Sequence, residues 1–370
     1  MLNNMKVYIQ RPWKFGDSPY YQYLLGYPPK EIEYLGQNSK SGVVTNKRKI
    51  VLLHKAKDYL RSFFRIFNLP IPNVHLTRTK EKYDLLHCAH CLSLNNRQWI
   101  CDTECVGQFW LAANFDRHPN KFLVKTILQN KNCKKIIAWT KWCYDGILKE
   151  FPEIKEKIEI VYPGIPEQKF KKIKSEKIKL LFVSRRFYFK GGLHALEVID
   201  RLTKKYPNVE GIFISEVPEK ILDKYSKNKK IIFHKMIPQE KLIKEIYPLI
   251  DILVYPSYTD TFGFTLTEAM SFGIPIVTVG GHSRKEIVEE GKTGYVIKEP
   301  KNFNMKYLEE LNTLKQTIDE IEKKTDFLIK NKKLRKEMSK NAIKEINQGK
   351  FSIEKRNKKF LEIYKKALKT

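Results

Sequence analysis

The pattern of apolar and polar residues between positions 251 and 297 changes several times, and each change predicts one structural element. Leu253 to Tyr255 is a short apolar run that stops at Pro256, as a buried parallel strand does where it meets its loop. A polar loop that contains glycine follows, and Thr265 is predicted to cap the next helix. Gly273 stands where a left-handed residue would end that helix.

The same alternation repeats toward the carboxyl terminus. Ile274 to Val279 predicts the next strand, and the Gly280-Gly281 pair turns the chain into a second helix. Gly291 ends this helix, and Tyr295 to Ile297 predicts a third strand. Strands that alternate with helices form an open parallel sheet, and ligands of such a sheet lie beyond the carboxyl ends of its strands.

Similar apolar runs predict strands in two groups along the rest of the chain. The first group comprises Lys6–Gln10, Asp84–His90, Trp99–Cys105, Lys135–Thr140 and Ile158–Gly164, and the second opens with Lys179–Ser184 and Ile231–Pro238. Pro166 to Lys177 between them is polar, lysine-rich and aperiodic, so we place the domain boundary there. This predicts an α/β protein with domains at residues 1–165 and 166–350, followed by a final amphipathic helix at residues 351–370.

Two carboxylates lie in the predicted crevice of the second domain. Asp260 stands in the loop and Glu268 in the first turn of the helix, eight positions further on. A helix amino terminus suits a phosphate, and a carboxylate one turn into the helix can accept both hydroxyls of a ribose. The alternative for Glu268 is a capping box with Thr265, and the alternative for Asp260 is a solvated loop acid.

Two cations follow the first strand of the second domain. Arg185 and Lys190 are five positions apart in a loop that leads into a helix, and Arg186 is an alternative to Arg185. A planar guanidinium can grip two phosphate oxygens, and an ammonium adds a point charge. Solvated side chains are the alternative for a basic loop such as this one.

The residues of this region resemble the motif of the family 4 glycosyltransferases, which have the GT-B fold. The matching positions are Asp260, Phe262-Gly263, Glu268-Ala269-Met270 and Gly273-Ile274-Pro275. The family usually has Glu at the first position, so Asp260 is a departure, shorter by one methylene. The resemblance implies two facing Rossmann-like domains, acceptor-side and nucleotide-sugar-binding, with a carboxy-terminal helix that crosses back to the first.

The resemblance also implies an activity and roles for these residues. A sugar would pass from a nucleotide-diphosphate sugar, most commonly of UDP or GDP, to a saccharide or lipid-linked acceptor, with retention of anomeric configuration. Arg185 and Lys190 would neutralise the diphosphate, Glu268 would hold the ribose, and Asp260 would hold the sugar hydroxyls. No metal or separate cofactor is expected. The loop and helix start would supply further donor contacts through Phe262, Gly263, Phe264, Thr265, Leu266 and Thr267.

Other candidate positions lie where relatives contact the donor. Gly16 belongs to the loop after the first strand, and Met236 and Ile237 stand where relatives hold the base. Many relatives have a donor-contacting His at the end of the strand Trp99–Cys105. This chain has Asp102 and Glu104 there, either of which would touch substrate or accept a proton, with His87 and His90 as alternatives and an ordinary acid as the plain interpretation.

The net charge of +29 indicates an acidic partner, although solvated surface lysines account for it equally well. Residues 47–67 have apolar positions on one helical face and Lys or Arg around it. Such a helix lies on an anionic membrane or, more commonly, packs on a core. The chain shows no leader and no run of about eighteen apolar residues. We therefore expect a cytoplasmic protein, with peripheral contact to the inner membrane face as an option.

Six cysteines without a leader indicate a reducing compartment. Cys88, Cys91, Cys101 and Cys105 have a spacing that a zinc site could use, but the first pair ends an apolar strand pattern, where buried thiols are ordinary. Two other functions compete with the transferase: a nucleotide-sugar epimerase of the same fold, and a nucleic-acid-binding protein driven by charge. The latter leaves the ordered second-domain residues without a reason, so we expect no nucleic-acid partner.

Overall fold

The computed structural model describes residues 4–10, 19–36, 59–60, 62–64, 66–113, 118–170, 172–173, 175–301 and 303–369. The chain divides into two compact units. Unit 1 comprises Met1–Gly164 with Ile353–Thr370, and unit 2 comprises Ile165–Ser352. No helix among the described residues is both long enough and apolar enough to cross a membrane.

Unit 1 contains a six-stranded parallel sheet in the order β2-β1-β4-β6-β7-β8, and β3 pairs with β5 beside it. Its strands are β1 (Met5–Gln10), β2 (Ile32–Leu35), β3 (Val74–His75), β4 (Leu85–Ala89), β5 (Leu92–Ser93), β6 (Trp99–Thr103), β7 (Cys133–Ala138) and β8 (Ile158–Ile160). Its first helices are α1 (Pro19–Gly26), α2 (Phe122–Gln129) and α3 (Lys141–Glu150). Every residue of β4 and β6 is buried, as expected for central strands covered on both faces.

Unit 2 contains a second six-stranded parallel sheet, in the order β11-β10-β9-β12-β13-β14. Its strands are β9 (Ile178–Ser184), β10 (Val209–Ser215), β11 (Ile231–His234), β12 (Ile252–Tyr255), β13 (Ile276–Val279) and β14 (Gly294–Ile297). Its helices are α4 (Gly192–Lys205), α5 (Glu219–Tyr225), α6 (Phe264–Ser271), α7 (Arg284–Ile287), α8 (Lys315–Lys330) and α9 (Lys332–Asn347). A further helical segment begins at Gln239–Lys241 and continues in π and 3-10 turns to Leu249.

The last helix, α10 (Ile353–Lys369), belongs to unit 1. Its apolar face is buried, as the sequence predicted, and Tyr364 hydrogen-bonds both the Tyr34 hydroxyl at 3.0 Å and His87 Nδ1 at 2.8 Å. Arg356 of the same helix donates to the carbonyl of Tyr27 at 2.5 Å. These buried contacts tie the carboxyl terminus of the chain to the sheet of the first half.

Two of the longer strands escaped the sequence patterns for local reasons. β2 has four residues and alternates between buried and exposed positions, which gives a weak signal. In β10, Glu210 and Gly211 interrupt the apolar run. Gly211 is required by packing, since a Cβ atom there would overlap the Ile199 side chain of α4.

The predicted basic helix at residues 47–67 lies mostly outside the described residues. In its described part, Leu60, Phe63 and Phe67 are 50%, 47% and 61% exposed. That part is therefore not packed on the core in the way the commoner interpretation required.

Gly273 after α6 is the left-handed residue that the sequence predicted, with φ of +64°. We expect Gly273→Ala to lower the free energy of unfolding by about 2 kcal/mol, because the left-handed backbone disfavours a Cβ atom and that atom would also overlap Ser339. Gly291→Ala is the matched control: φ is +75°, but nothing lies within 4 Å, so we expect a loss of about 1 kcal/mol. Urea unfolding compares the two, and equal losses would show that the Ser339 contact is unimportant.

Candidate functional site

The strand order of unit 2 reverses between β9 and β12, which are parallel neighbours with Ile252 opposite Leu180. From β9 the chain continues through β10 to β11 on one side, and from β12 it continues through β13 to β14 on the other. The loops that leave these two strands therefore diverge from a crevice at their carboxyl ends. This is the position at which open α/β sheets bind ligands.

Two helices begin at this crevice, each directly after a left-handed glycine. Gly191 (φ +69°) precedes α4, and Gly263 (φ +85°) precedes α6. A Cβ atom on Gly191 would overlap the carbonyl oxygen of Pro256, so only glycine lets the two loops approach this closely. Because glycine has no side chain to cap the first-turn amides, both helix starts suit an anion.

The predicted cap at Thr265 is wrong, because α6 begins at Phe264 and its N-cap is Gly263, two residues before Thr265. The helix starts early because Gly263 can adopt the left-handed conformation that directs the chain into it. The capping-box alternative for Glu268 is therefore wrong too, since Thr265 lies inside the helix.

Lys190 and Asp260 form an ion pair in this crevice, with Lys190 Nζ 2.8 Å from Asp260 Oδ1. Their side chains are 18% and 15% exposed, and the Tyr255 hydroxyl donates to Asp260 Oδ2 at 2.9 Å. Burial opposes ionisation of Asp260, but Lys190 and Tyr255 outweigh it and hold the pKa of Asp260 below its ordinary value. Asp260 is thus an ionised, partly buried carboxylate rather than a solvated loop acid.

Arg284 is a functional candidate that the sequence analysis missed. Its guanidinium is fully buried and donates to the carbonyls of Val279 and Gly280, each at 2.6 Å, and of Asp260 at 3.1 Å. The available signal was a basic residue soon after the glycine turn at the end of β13. It was overlooked because nothing local shows that the side chain turns inward.

Glu268 lies in α6 with 6% of its surface exposed. Gln239 donates to its Oε1, and the Tyr247 hydroxyl donates to Oε2 at 3.4 Å. Both partners belong to the helical segment that follows β11, so Glu268 links α6 to that side of the sheet. Gln239 is a second residue that sequence reasoning missed, because its partner is 29 positions away.

The remaining candidates of unit 2 have different surroundings. Arg185 is exposed just after β9, and Arg186 beside it lies over the Phe189 ring at 5.7 Å. Met236 and Ile237 are partly buried in the loop between β11 and Gln239, on the side of the sheet to which Glu268 is linked.

Six consecutive residues, 262–267, were predicted to contact the donor. The side chains of Phe262, Leu266 and Thr267 are buried in unit 2, so any contact that these residues make to a ligand would come from main-chain atoms. Phe264 and Thr265 are partly exposed at the start of α6, directly after Gly263.

Asp102 of unit 1 lies inside β6 and is fully buried. Its carboxylate is bonded to His87 Nε2 and to the Tyr21 hydroxyl, both at 3.1 Å, and to the amide of His90 at 3.2 Å. Burial would raise the pKa of Asp102, but the bond from His87 and the neighbouring groups lower it below the ordinary value. This arrangement places Asp102 at the centre of a buried polar network, and its contact with substrate stays a prediction.

Glu104 is partly buried and bonded to Gln108, whose Nε2 donates to Glu104 Oε1 at 2.8 Å. The same Gln108 accepts through Oε1 from Thr103 Oγ1, from the Glu104 amide and from His90 Nδ1. His90 has a left-handed backbone with φ of +53°, which is uncommon outside glycine.

Cys88, Cys91 and Cys101 lie in the hydrophobic core of unit 1, and burial raises the pKa of Cys105 to about 12. Within the described parts of the chain, no group of three or more His, Cys, Asp or Glu side chains is arranged to hold a metal ion. Gly16, the remaining predicted donor contact, lies outside the described residues.

Comparison with known proteins identifies relatives of the second half of the chain. Residues 165–345 match the family model described as glycosyl transferases group 1. The chain is 25% identical over 231 residues to an uncharacterised 41.2 kDa protein in the cps region of Klebsiella pneumoniae, covering 59% of this chain and 58% of that protein. It is 24% identical over 237 residues to the lipopolysaccharide glucosyltransferase WaaG of Escherichia coli, covering 57% and 62%. The chain thus spans less than two thirds of either relative.

The crystal structure of HepE from Anabaena, in complex with UDP and glucose, matches 98% of this chain and 100% of that one. The TM-score is 0.61 and the sequence identity is 13%. This similarity concerns the fold, and it confirms the predicted GT-B fold with its two Rossmann-like units.

The Lys190–Asp260 pair predicts a measurable effect on stability. We expect Lys190→Ala to lower the free energy of unfolding by about 2 kcal/mol at pH 7, because Asp260 would remain charged without its cation. The native pair lowers the pKa of Asp260 and stabilises the protein above the unfolded pKa, so the difference should shrink as the pH falls below about 4, through the lowered pKa of Asp260.

Urea unfolding at several pH values measures this difference. Adding Asp260→Asn to Lys190→Ala should recover part of the loss. Lys244→Ala is the control, because both partners of the Lys244–Glu240 pair are exposed, and its unfolding midpoint should not move. A pH-independent loss in Lys190→Ala would mean that the charge of Asp260 is not involved.

Proposed function

Because residues 165–345 match the family model described as glycosyl transferases group 1, we propose that this chain transfers a sugar from a nucleotide-diphosphate sugar to an acceptor. The observation that carries the proposal is the crevice between β9 and β12. A lysine, an ionised carboxylate and two glycine-started helices meet there. Such a site is suited to an anion with a polar group attached to it.

The chemical demand of the reaction is charge stabilisation. The bond between the anomeric carbon and the phosphate oxygen breaks, the sugar becomes oxocarbenium-like, and the electron pair remains on the departing diphosphate. In our proposal Lys190, Arg185 and the starts of α4 and α6 stabilise this negative charge. These groups are cations or main-chain amides, so the proposal needs no metal or cofactor besides the nucleotide sugar.

The two carboxylates position the donor in this proposal. Glu268 accepts from the ribose hydroxyls, and its bonds to Gln239 and Tyr247 orient it for that contact. Asp260 accepts from the sugar hydroxyls and holds Lys190 beside them. The loop with Met236 and Ile237 supports the base. We also propose retention of the anomeric configuration, which the motif of the family implies.

The relatives suggest which donor and acceptor to test first. HepE was crystallised with UDP and glucose, and WaaG is named as a lipopolysaccharide glucosyltransferase. We propose a UDP-hexose as the leading donor, ahead of a GDP-sugar, and a saccharide or lipid-linked glycan as the acceptor. The net charge of +29 and the exposed Phe63 and Phe67 support peripheral contact with an anionic membrane on the cytoplasmic side.

The reaction itself is tested by incubating the protein with a panel of UDP- and GDP-sugars, with and without glycan acceptors. We expect one donor to raise the melting temperature and to release nucleoside diphosphate when the right acceptor is added. Isomerised donor without diphosphate release would indicate an epimerase. No turnover, together with salt-sensitive binding to a DNA or RNA oligonucleotide, would indicate a nucleic-acid-binding protein.

The role of Glu268 is tested with a modified donor. We expect Glu268→Gln to lower kcat/KM by about 10- to 100-fold, because a carboxylate accepts ribose hydroxyls better than an amide does. With a donor that lacks the 2′-hydroxyl, kcat/KM of the wild type should fall, whereas kcat/KM of Glu268→Gln should fall little further. Glu245→Gln, at an exposed position, serves as the control and should behave as wild type. If wild type and Glu268→Gln discriminate equally between the two donors, the proposed contact between Glu268 and the ribose is wrong.

A further inference from the structure

Arg284 holds three backbone carbonyls that belong to two different segments. Val279 ends β13 and Gly280 follows it, whereas Asp260 belongs to the loop after β12. Each guanidinium nitrogen makes one of these bonds, so the group has a single orientation. The carbonyl ends of two adjacent strands are thereby fixed to each other at the edge of the crevice.

The local sequence is shaped to admit this side chain. Gly281 has φ of +111°, and a Cβ atom at that position would overlap Arg284 Nη2. A residue other than glycine would therefore displace the guanidinium. Next to Arg284, Ser283 Oγ donates to the carbonyl of Thr261, so the segment holds the Asp260 loop at two successive residues.

Arg284 is also a buried charge with an unusual set of partners. Among the described residues, no carboxylate lies within ion-pair distance of its guanidinium; backbone carbonyls accept its bonds, and Asp260 and Glu299 act on it through space. A buried cation is costly unless negative charge lies close by. The structure thus holds a fixed cation beside a carboxylate that already has another cation, Lys190, in contact.

In the proposed reaction Lys190 can pair with two anions, the diphosphate and Asp260. When its ammonium turns to the phosphate oxygens, Asp260 keeps the hydrogen bond from Tyr255 but loses the cation in contact with it. Arg284 cannot follow Lys190, since its three carbonyl bonds hold it in place. Arg284 is therefore the cation that remains next to Asp260.

We propose that Arg284 is a positioning residue that keeps Asp260 charged and in place while Lys190 engages the donor diphosphate. This inference rests on the proposed function and goes beyond it by giving the two cations different tasks. Lys190 binds the diphosphate, and Arg284 then holds Asp260. A merely structural role, in which Arg284 only fastens two loops, would affect folding and turnover at every pH to the same degree.

The pH dependence separates the two roles. Asp260 is faced by Lys190 from the turn before α4, by Tyr255 from β12 and by Arg284 from α7, and Arg284 is faced in turn by Glu299 and Tyr258. Lys190 and Tyr255 are retained when Arg284 is replaced. The acid limb of the activity profile therefore reports how strongly Arg284 favours ionised Asp260.

The experiment compares pH profiles of kcat and kcat/KM for wild type, Arg284→Gln and Arg284→Lys. We expect Arg284→Gln to move the acid limb of kcat to higher pH by about one unit, because a neighbouring cation lowers a carboxylate pKa by that order. The limb of kcat/KM should move less, since in the free enzyme Lys190 still pairs with Asp260. Arg284→Lys keeps the charge, so its limb should stay in place while kcat falls about tenfold through lost positioning.

Arg335→Gln is the matched control. Arg335 is also a partly buried arginine that donates to two backbone carbonyls, those of Leu328 and Ile329, but it lies on α9. Its loss should lower the melting temperature and leave both acid limbs unchanged. Circular dichroism shows whether each variant is folded. If Arg284→Gln does not fold, the comparison is made between wild type and Arg284→Lys.

The outcomes are distinct. An active wild type whose acid limbs do not move in Arg284→Gln, or move equally in kcat and kcat/KM, would overturn this inference alone. A shift in Arg284→Lys as large as that expected for Arg284→Gln would overturn it too. A wild type that turns over no nucleotide sugar would remove the proposed function, and this inference with it.

Discussion

The ion pair between Lys190 and Asp260 is the interaction on which the architecture of unit 2 converges. The two side chains come from loops that leave β9 and β12 in opposite directions, and they meet because those strands are parallel neighbours. The loops approach closely only because Gly191 has no side chain and a left-handed backbone beside Pro256.

The same crevice explains why the surrounding residues are placed as they are. Arg284 fastens the Asp260 loop to the end of β13, and Gln239 and Tyr247 orient Glu268 from the other side of the sheet. The two carboxylates are therefore held by partners from different segments of unit 2. Groups held in this way are suited to positioning a ligand, as the proposed function requires.

Asp102 of unit 1 shows how environment separates chemically identical groups. Asp102 and Asp260 are both carboxylates near the carboxyl ends of parallel strands, and both have a lowered pKa. Asp102 is fully buried and bonded to a histidine, a tyrosine and a main-chain amide, and through His87 it is linked to Tyr364 of α10. Asp260 instead contacts a partly exposed lysine. The first arrangement ties the chain terminus to the sheet, and the second lies at the proposed donor site.

The sequence by itself determined the α/β class, most of the strands, the left-handed turn at Gly273 and the resemblance to a glycosyltransferase family, because short-range periodicity and fixed spacing encode them. It also singled out Lys190, Asp260 and Glu268, because their spacing resembles the motif of the family 4 glycosyltransferases. Only the tertiary structure decided that Lys190 pairs with Asp260, that Gly263 rather than Thr265 starts α6, that Asp102 is buried, and that Arg284 and Gln239 reach the site. The physical reason is that burial and the pairing of residues tens of positions apart depend on how strands are ordered in the sheet. Local patterns of apolar and polar residues do not contain that order.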